Sequence, residues 1–465
     1  MNPRTKACLL AGCFILLHAA SAFALPAAGD RVYTADQNSN TVSVIDPATN
    51  RLLGQVRLGN ARPDVLSPIY KGEVNVHGLG FSPDHRTLLA ISTASNSVAF
   101  IDTATNRVKG IAYIGRSPHE GFFTPDGSAA WVVVRGEDYI SVIDPATFRE
   151  TGRIQTAPGP GMLVFHPDGK RAFVVHSFTP DVHVIDVASR ETLKRIPVAS
   201  PFSPFVQVTP DGREVWLTHK DVGKVTRIDA ATLAVKEVFD TGLVTNHIGF
   251  AGTPSGLLAY VTIGAENVVK VYGTGDRAEL VATIPVGALP HGIWPSDDGS
   301  RMYVGLENGD AVDVIDTAAN RVVARVPAGQ APQALVYVPG ASPANDAANL
   351  VPRVNEDAFT LDLAGDGDAR GLVVVRNLGL ADELTVSLFK LEPDTTYDLY
   401  AQGEGAALGS FRTNDKGMAS GTIIGPLRQI VSSAEGTDAP PTVLFVSKRG
   451  GGPGMGNAVL RSGER

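Results

Sequence analysis

Histidine is the residue type in this chain whose placement could do chemistry. Nine histidines follow residue 24, and six of them fall at two repeating places. Six residues before a turn proline, or its equivalent, stand His77, His119 and His291. A unit with one extra residue places His247 there, and three other units place Gly161, Pro204 and Gln333. The units that carry Gly161 and Pro204 have His176 and His219 nine residues after the turn proline. His85, His166 and His183 stand outside the pattern. Neutral imidazole is the commonest metal ligand, and an all-nitrogen set without thiolate suits copper, zinc or nickel, copper or zinc being the expected ion. The same rings, protonated, would attract a small anion. The expected metal set is therefore His77, His119, His176, His219, His247 and His291, with Gln333 and Glu120 as further ligand-binding groups. The plainer alternative is a duplicated histidine that hydrogen-bonds across a channel and ligates nothing.

The elements that must position these rings are repeats. Ile-Asp followed by a turn recurs at 45, 101, 143, 185, 228 and 315, with a degenerate copy, VYGTGDR, at 271. Successive spacings are 56, 42, 42, 43, 43 and 44 residues, the long one holding an insertion between Asn60 and Val74. Each unit runs from a short apolar segment through a turn such as PDG into three further alternating segments. Four short strands per unit describe a propeller blade. No long stretch has helical periodicity. The chain after the leader opens on a second strand, Val32-Tyr33-Thr34, while Ala334 to Val338 supplies only a first strand. Joining them closes a seventh blade and removes the exposed sheet edges. First strands line the central channel, and second strands run antiparallel to them, so both sets of histidines are expected at one mouth of that channel. Asp46, Asp102, Asp144, Asp186, Asp229 and Asp316 are expected to cap turns, and Trp131, Phe173, Trp216, Tyr260 and Tyr303 to pack between blades.

Tyr33-Thr34-Ala35-Asp36, SNTVSVIDPATNR, PVGALPHG and the PDG-like turns resemble the YVTN-type, YncE-like seven-bladed propeller repeats of secreted proteins. The resemblance covers residues 30–340 and implies the fold. It spans surface-layer proteins, periplasmic proteins, lactonases, lyases and haem- or copper-bearing reductases, so it names no activity. SPHE is also faintly similar to motifs of nitrous-oxide-type copper reductases. Those enzymes carry a cysteine-bearing copper domain, whereas both cysteines here, Cys8 and Cys13, lie in the leader.

Residues 1–24 read as a signal peptide: Arg4 and Lys6, then an apolar run, then Ala22-Phe23-Ala24. A periplasmic or secreted location follows. Leu10-Ala11-Gly12-Cys13 matches a lipoprotein box, but the apolar run continues past Cys13 to Leu17. No later run approaches a transmembrane span. Loss of the leader takes the formal charge from −8 to −10, which argues against broad nucleic-acid binding. Residues 341–354 read as a linker, 355–448 as a small Ig/fibronectin-like β-sandwich, and 449–465 as a flexible Gly-rich tail. Leu391-x-Pro393-x-Thr395-x-Tyr397 resembles a tyrosine corner. The fold class is all-β: a seven-bladed β-propeller, then the sandwich, itself a possible docking module for a protein partner. The functional expectation is an exported binding protein with a metal or small anionic ligand at the His-lined mouth. The alternatives are a propeller enzyme, lactonase- or lyase-like or redox with an added cofactor, and a cell-surface scaffold.

Overall fold

The computed structural model describes residues 26–59, 74–253, 256–344, 347–354, 358–365, 367–377, 382–425 and 443–463. The leader, with its two cysteines, lies outside them. Seven four-stranded antiparallel sheets form the propeller. Six are built from consecutive strands, beginning with Val76–Phe81, Pro118–Phe123, Pro160–Phe165, Val206–Val208, Thr245–Thr253 and Pro290–Pro295. The seventh takes its inner strand, Pro332–Val338, from the end of the repeat region and pairs it with Arg31–Asp36 from the beginning. Asp30 fastens this closure. It accepts hydrogen bonds from the Tyr337 hydroxyl and from the Gly340 amide, the latter at 2.7 Å.

Local chemistry explains the repeat. In the turn after six of the seven third strands an aspartate accepts a backbone amide two or three residues on, as in Asp102 to Thr105 at 2.8 Å and Asp229 to Thr232 at 2.7 Å, while Val268–Gly273 ends in glycine. The PDG turns place Gly127, Gly169 and Gly212 at φ of 71°, 73° and 73°, a region that costs glycine nothing. Second strands carry the large apolar cargo: Trp131, Phe173, Trp216, Tyr260 and Tyr303 are all buried between blades. Near the axis the first strands crowd. A Cβ on Gly78 would lie 2.1 Å from the His119 carbonyl, and one on Gly80 would lie 2.2 Å from that of Gly121. Neighbouring inner strands therefore meet backbone to backbone, which brings the residues at their starts close together.

The C-terminal strands form one continuous eight-stranded antiparallel sheet. It curls around a core of Leu363, Val373, Leu384, Val386, Leu399 and Val446. Its edge strands, Gly409–Arg412 and Ala419–Gly425, pack against each other through Phe411 and Ile423, giving a barrel-like form. The two sheets of a sandwich are here linked into one by Ala458–Ser462, which lies between Ala358–Gly365 and Leu444–Lys448. The Gly-rich tail thus contributes a strand to the middle of the sheet. The Tyr397 hydroxyl accepts the Glu392 amide at 3.2 Å, the hydrogen bond of a tyrosine corner.

This domain sits on the propeller beside the channel mouth. Arg376 is buried and pairs with Asp310 at 2.9 Å, while its other contacts reach the Glu307 carbonyl and Glu383. Residues 348–353 run along the rim, hydrogen-bonded to Asn106, Gln55 and Ala328. Among the described residues no helix is long and apolar enough to cross a membrane.

Candidate functional site

Six of the seven inner strands are entered through a left-handed residue, Val206–Val208 being the exception. Asn75, Ser117, Gly159, Leu289 and Ala331 hold φ between 50° and 77°, two residues before the channel-facing position. Val244 does the same in the blade with the extra residue, at φ 58°. Paying for positive φ at leucine, alanine and β-branched valine shows that the bend is imposed by the fold. It aims His247, His291, Gln333, His77 and His119 at one mouth. These belong to five successive blades and form an arc, interrupted at Gly161 and Pro204.

Two pairs of rings touch within the arc. The rings of His77 and His119 have centroids 4.0 Å apart, and those of His247 and His291 are 4.9 Å apart, edge to face. Phe205 stacks on His247 at 4.1 Å. Glu120 fills the volume left by the missing side chain of Gly78, where an added Cβ would come within 2.8 Å of its Oε2. Its Oε1 lies 3.8 Å from His77 Nδ1. Ligand atoms of His77, His119 and Glu120 all fall within 4.8 Å of one another.

Hydrogen bonds fix the ring orientations. His119 Nδ1 donates to the Gly161 carbonyl at 2.7 Å, leaving Nε2 as the lone-pair nitrogen. His291 Nδ1 donates to Glu307 Oε2 at 2.7 Å, with the same consequence. By contrast, His77 Nδ1 and Glu120 Oε1 are both buried and have no hydrogen-bond partner.

Burial is the main force on every charge here. It lowers His77 to about 3, with the neighbouring His291 and Arg135 pushing the same way. It lowers His119, His247 and His291 as well, so the arc is neutral imidazole at neutral pH. Burial raises the Glu120 carboxyl, which favours its neutral acid. At Glu307 burial opposes ionisation, but His291 and Lys220 outweigh it and hold the group down to about 2. Two cations complete the mouth. Burial lowers both Lys220 and Arg135, Lys220 being partly supported by Glu307. Arg135 lies 5.8 Å from the centroids of Phe178 and Phe202, and its buried Nε has no partner.

His176 and His219 do not join the arc, which corrects the six-ring expectation. Both are buried within their own blades. His176 Nδ1 bonds the Asp181 carbonyl at 2.9 Å, and His219 bonds Ser203 at 2.8 Å and Thr226 at 2.6 Å. The reason is strand alternation: the face changes with each residue. The next residue in each blade is the one beside the channel, and this column reads Gln37, Thr93, Arg135, Ser177, Lys220, Gly264 and Glu307. Arg135, Lys220 and Glu307 are thus site residues that the sequence reading missed. Their signal was a shared position without a shared chemistry.

Residues 123–331 match the family model described as a YNCE-like beta-propeller. Over that stretch the wheel resembles a YNCE-like propeller. Its C-terminal companion lies outside that match. No curated protein matches the sequence. Among solved structures, a periplasmic gluconolactonase of Pseudomonas aeruginosa, PpgL, has 18% identity and a TM-score of 0.53, over 66% of this chain and 99% of that one. Hydrazine synthase of Kuenenia stuttgartiensis has 23% identity and a TM-score of 0.51, over 58% of this chain and 94% of that one. A functionally unknown protein of Desulfotomaculum acetoxidans has 14% identity and a TM-score of 0.57, over 66% and 98%. At these identities the likeness is one of fold.

Proposed function

We propose that this protein is an exported binding protein that holds a divalent transition metal, zinc or copper, at the mouth of its YNCE-like propeller. His77, His119 and Glu120 are the ligands. The observation that carries this reading is the pair of buried, partnerless atoms, His77 Nδ1 and Glu120 Oε1, 3.8 Å apart beside the free Nε2 side of His119. Buried polar atoms are normally satisfied, and a cation would satisfy both while drawing Glu120 to its carboxylate. The His119 bond to Gly161 is the kind of outer contact that orients a ligating ring. Arg135 and Lys220 favour a small anion as the partner of the metal. Export rests on the basic-then-apolar N-terminus and is in keeping with the periplasmic gluconolactonase that shares the fold.

Metal content of the mature protein tests the proposal. Supplied with zinc or copper, the parent should retain stoichiometric metal at this mouth. Glu120→Gln removes a ligand and should weaken it at least about 100-fold, the upper end of what loss of an outer contact costs, and His77→Ala/His119→Ala should abolish it. A double variant that holds as much metal as the parent overturns the reading.

A further inference from the structure

A second donor set lies one blade further round, away from the arc. His176 ends the second strand of its blade, and Asp181 and His183 lie on the third strand, Asp181–Asp186. Val175 pairs with Val182, so His176 stands opposite Asp181, and His183 is two residues on, sharing the same face. The two rings meet edge to face with centroids 4.7 Å apart. His176 Nδ1 donates to the Asp181 carbonyl at 2.9 Å and lies 3.3 Å from Asp181 Oδ1, which leaves Nε2 as its ligand nitrogen, and Nε2 of His183 is 3.4 Å from Asp181 Oδ2. Ligand atoms of all three lie within 4.8 Å of one another. Tetrahedral zinc, with bonds of roughly 2.0–2.1 Å to nitrogen and oxygen, separates its ligands by about 3.4 Å.

The same place in other blades shows what is unusual. In one it holds Asp36, Thr41 and Ser43, and the Asp36 carboxylate accepts from Thr41 at 2.9 Å and from Ser43 at 2.6 Å. In another it holds His219, Lys224 and Thr226, and both nitrogens of His219 are bonded, one to Thr226 and the other to Ser203. Those sets are satisfied by hydrogen bonds. Where His183 replaces the hydroxyl residue, they are not. His176 Nε2, Asp181 Oδ1 and both nitrogens of His183 are buried without a hydrogen-bond partner. Both rings are almost wholly buried, with relative exposures of 0% and 1%, while Asp181 reaches the surface at 18%.

We infer that His176, Asp181 and His183 form a second, structural metal site for zinc or a zinc-like divalent ion, separate from the channel mouth. Asp181 supplies the balancing negative charge, and Arg195, opposite His183 on the outer strand, keeps its own charge in solvent. Three protein donors leave a fourth position for water at the Asp181 side. The ion ties the second strand to the third and enters as the blade folds. The sequence signal is His-x4-Asp-x-His across a tight turn.

The test uses Zn²⁺ alone, titrated into the mature full chain against a competing chelator. With the mouth emptied by His77→Ala/His119→Ala, one zinc per chain should remain, and it should raise the melting temperature. Adding Asp181→Asn should weaken that zinc at least about 100-fold and remove the thermal shift, as should His183→Gln. Asp181 lies at the rim, so its replacement leaves the blade core intact if a histidine variant does not fold. Co²⁺ in the mouth-emptied protein should give the intense visible bands of tetrahedral coordination. No zinc retained by the mouth-emptied protein, or retention unchanged by Asp181→Asn, overturns this second site. Two zinc ions retained by the mouth-emptied protein would instead overturn the reading of the mouth.

Discussion

At the scale of the residue, the histidines separate into groups with different physical costs. His77 at the mouth, and His176 and His183 of the second donor set, have buried nitrogens without hydrogen-bond partners. His219 is the satisfied case, with a hydroxyl on each nitrogen. Burial lowers it from 6.5 to about 4. The sign follows from proton uptake: as pH falls, the unfolded chain is protonated first, near 6.5, and the folded one only near 4. The stability contribution of neutral His219 is therefore complete above about 6.5 and is lost between there and 4. A shift of that size corresponds to roughly 3 kcal/mol. The expected outcome is that unfolding free energy falls across this window, and that His219→Gln lowers stability at pH 7 but flattens the slope by about that amount. Denaturant titrations at pH 4, 5, 6 and 7 check it. An unchanged slope in the variant would show that another group carries the acid sensitivity.

At the scale of the element, the mouth depends on how closely inner strands approach. Gly78→Ala puts a methyl 2.1 Å from the His119 carbonyl and 2.8 Å from Glu120 Oε2. Neither strand can move freely, since each is paired on its other side. The change should cost about 1–3 kcal/mol, the usual range for overpacking, and should weaken metal at the mouth in the same variant. Chemical denaturation with a parallel zinc titration reads both. Full zinc affinity in a destabilised Gly78→Ala would mean that the metal does not sit between these two strands. The strands themselves were plain in the sequence because the Asp turn recurs at nearly constant spacing and fixes where each blade ends. The first-strand histidines were plain for the same reason, being counted back from a turn. His176 and His219 were misplaced by one residue because a repeat gives the position of a strand without saying which face a given residue takes at its frayed end. Arg135, Lys220 and Glu307 occupy one structural column, but three different chemistries in a column carry no sequence signature. His183 was set aside for lying off the ring, although its blade-local partners are two and seven residues away.

At the scale of the whole molecule, the mouth and the C-terminal domain are mechanically joined. Arg376 reaches from the C-terminal sheet to Asp310 and to the Glu307 carbonyl, and the Glu307 side chain holds His291. Asp310 also accepts the Ala331 amide at 2.9 Å, at the start of the strand that closes the propeller. One guanidinium thus touches the closure of the wheel, the residue beside the arc and its own domain through Glu383. Because Arg376 is about 1% exposed, removing it leaves Asp310 and Glu383 as buried carboxylates without their cation. Breaking a buried pair in this way costs about 3–5 kcal/mol, far more than an exposed pair would. Arg376→Ala should therefore separate the unfolding of the two domains. Calorimetry of the parent should show a single coupled transition, and the variant should show the C-terminal domain melting first while the propeller keeps its closure through Asp30 and Tyr337. Replacing Arg376 together with Asp310 and Glu383 by apolar residues of similar volume removes the stranded charges and should recover much of the loss. Loss of stability in the triple variant equal to that in Arg376→Ala would show that the guanidinium acts by packing alone, and that the two domains do not communicate through charge.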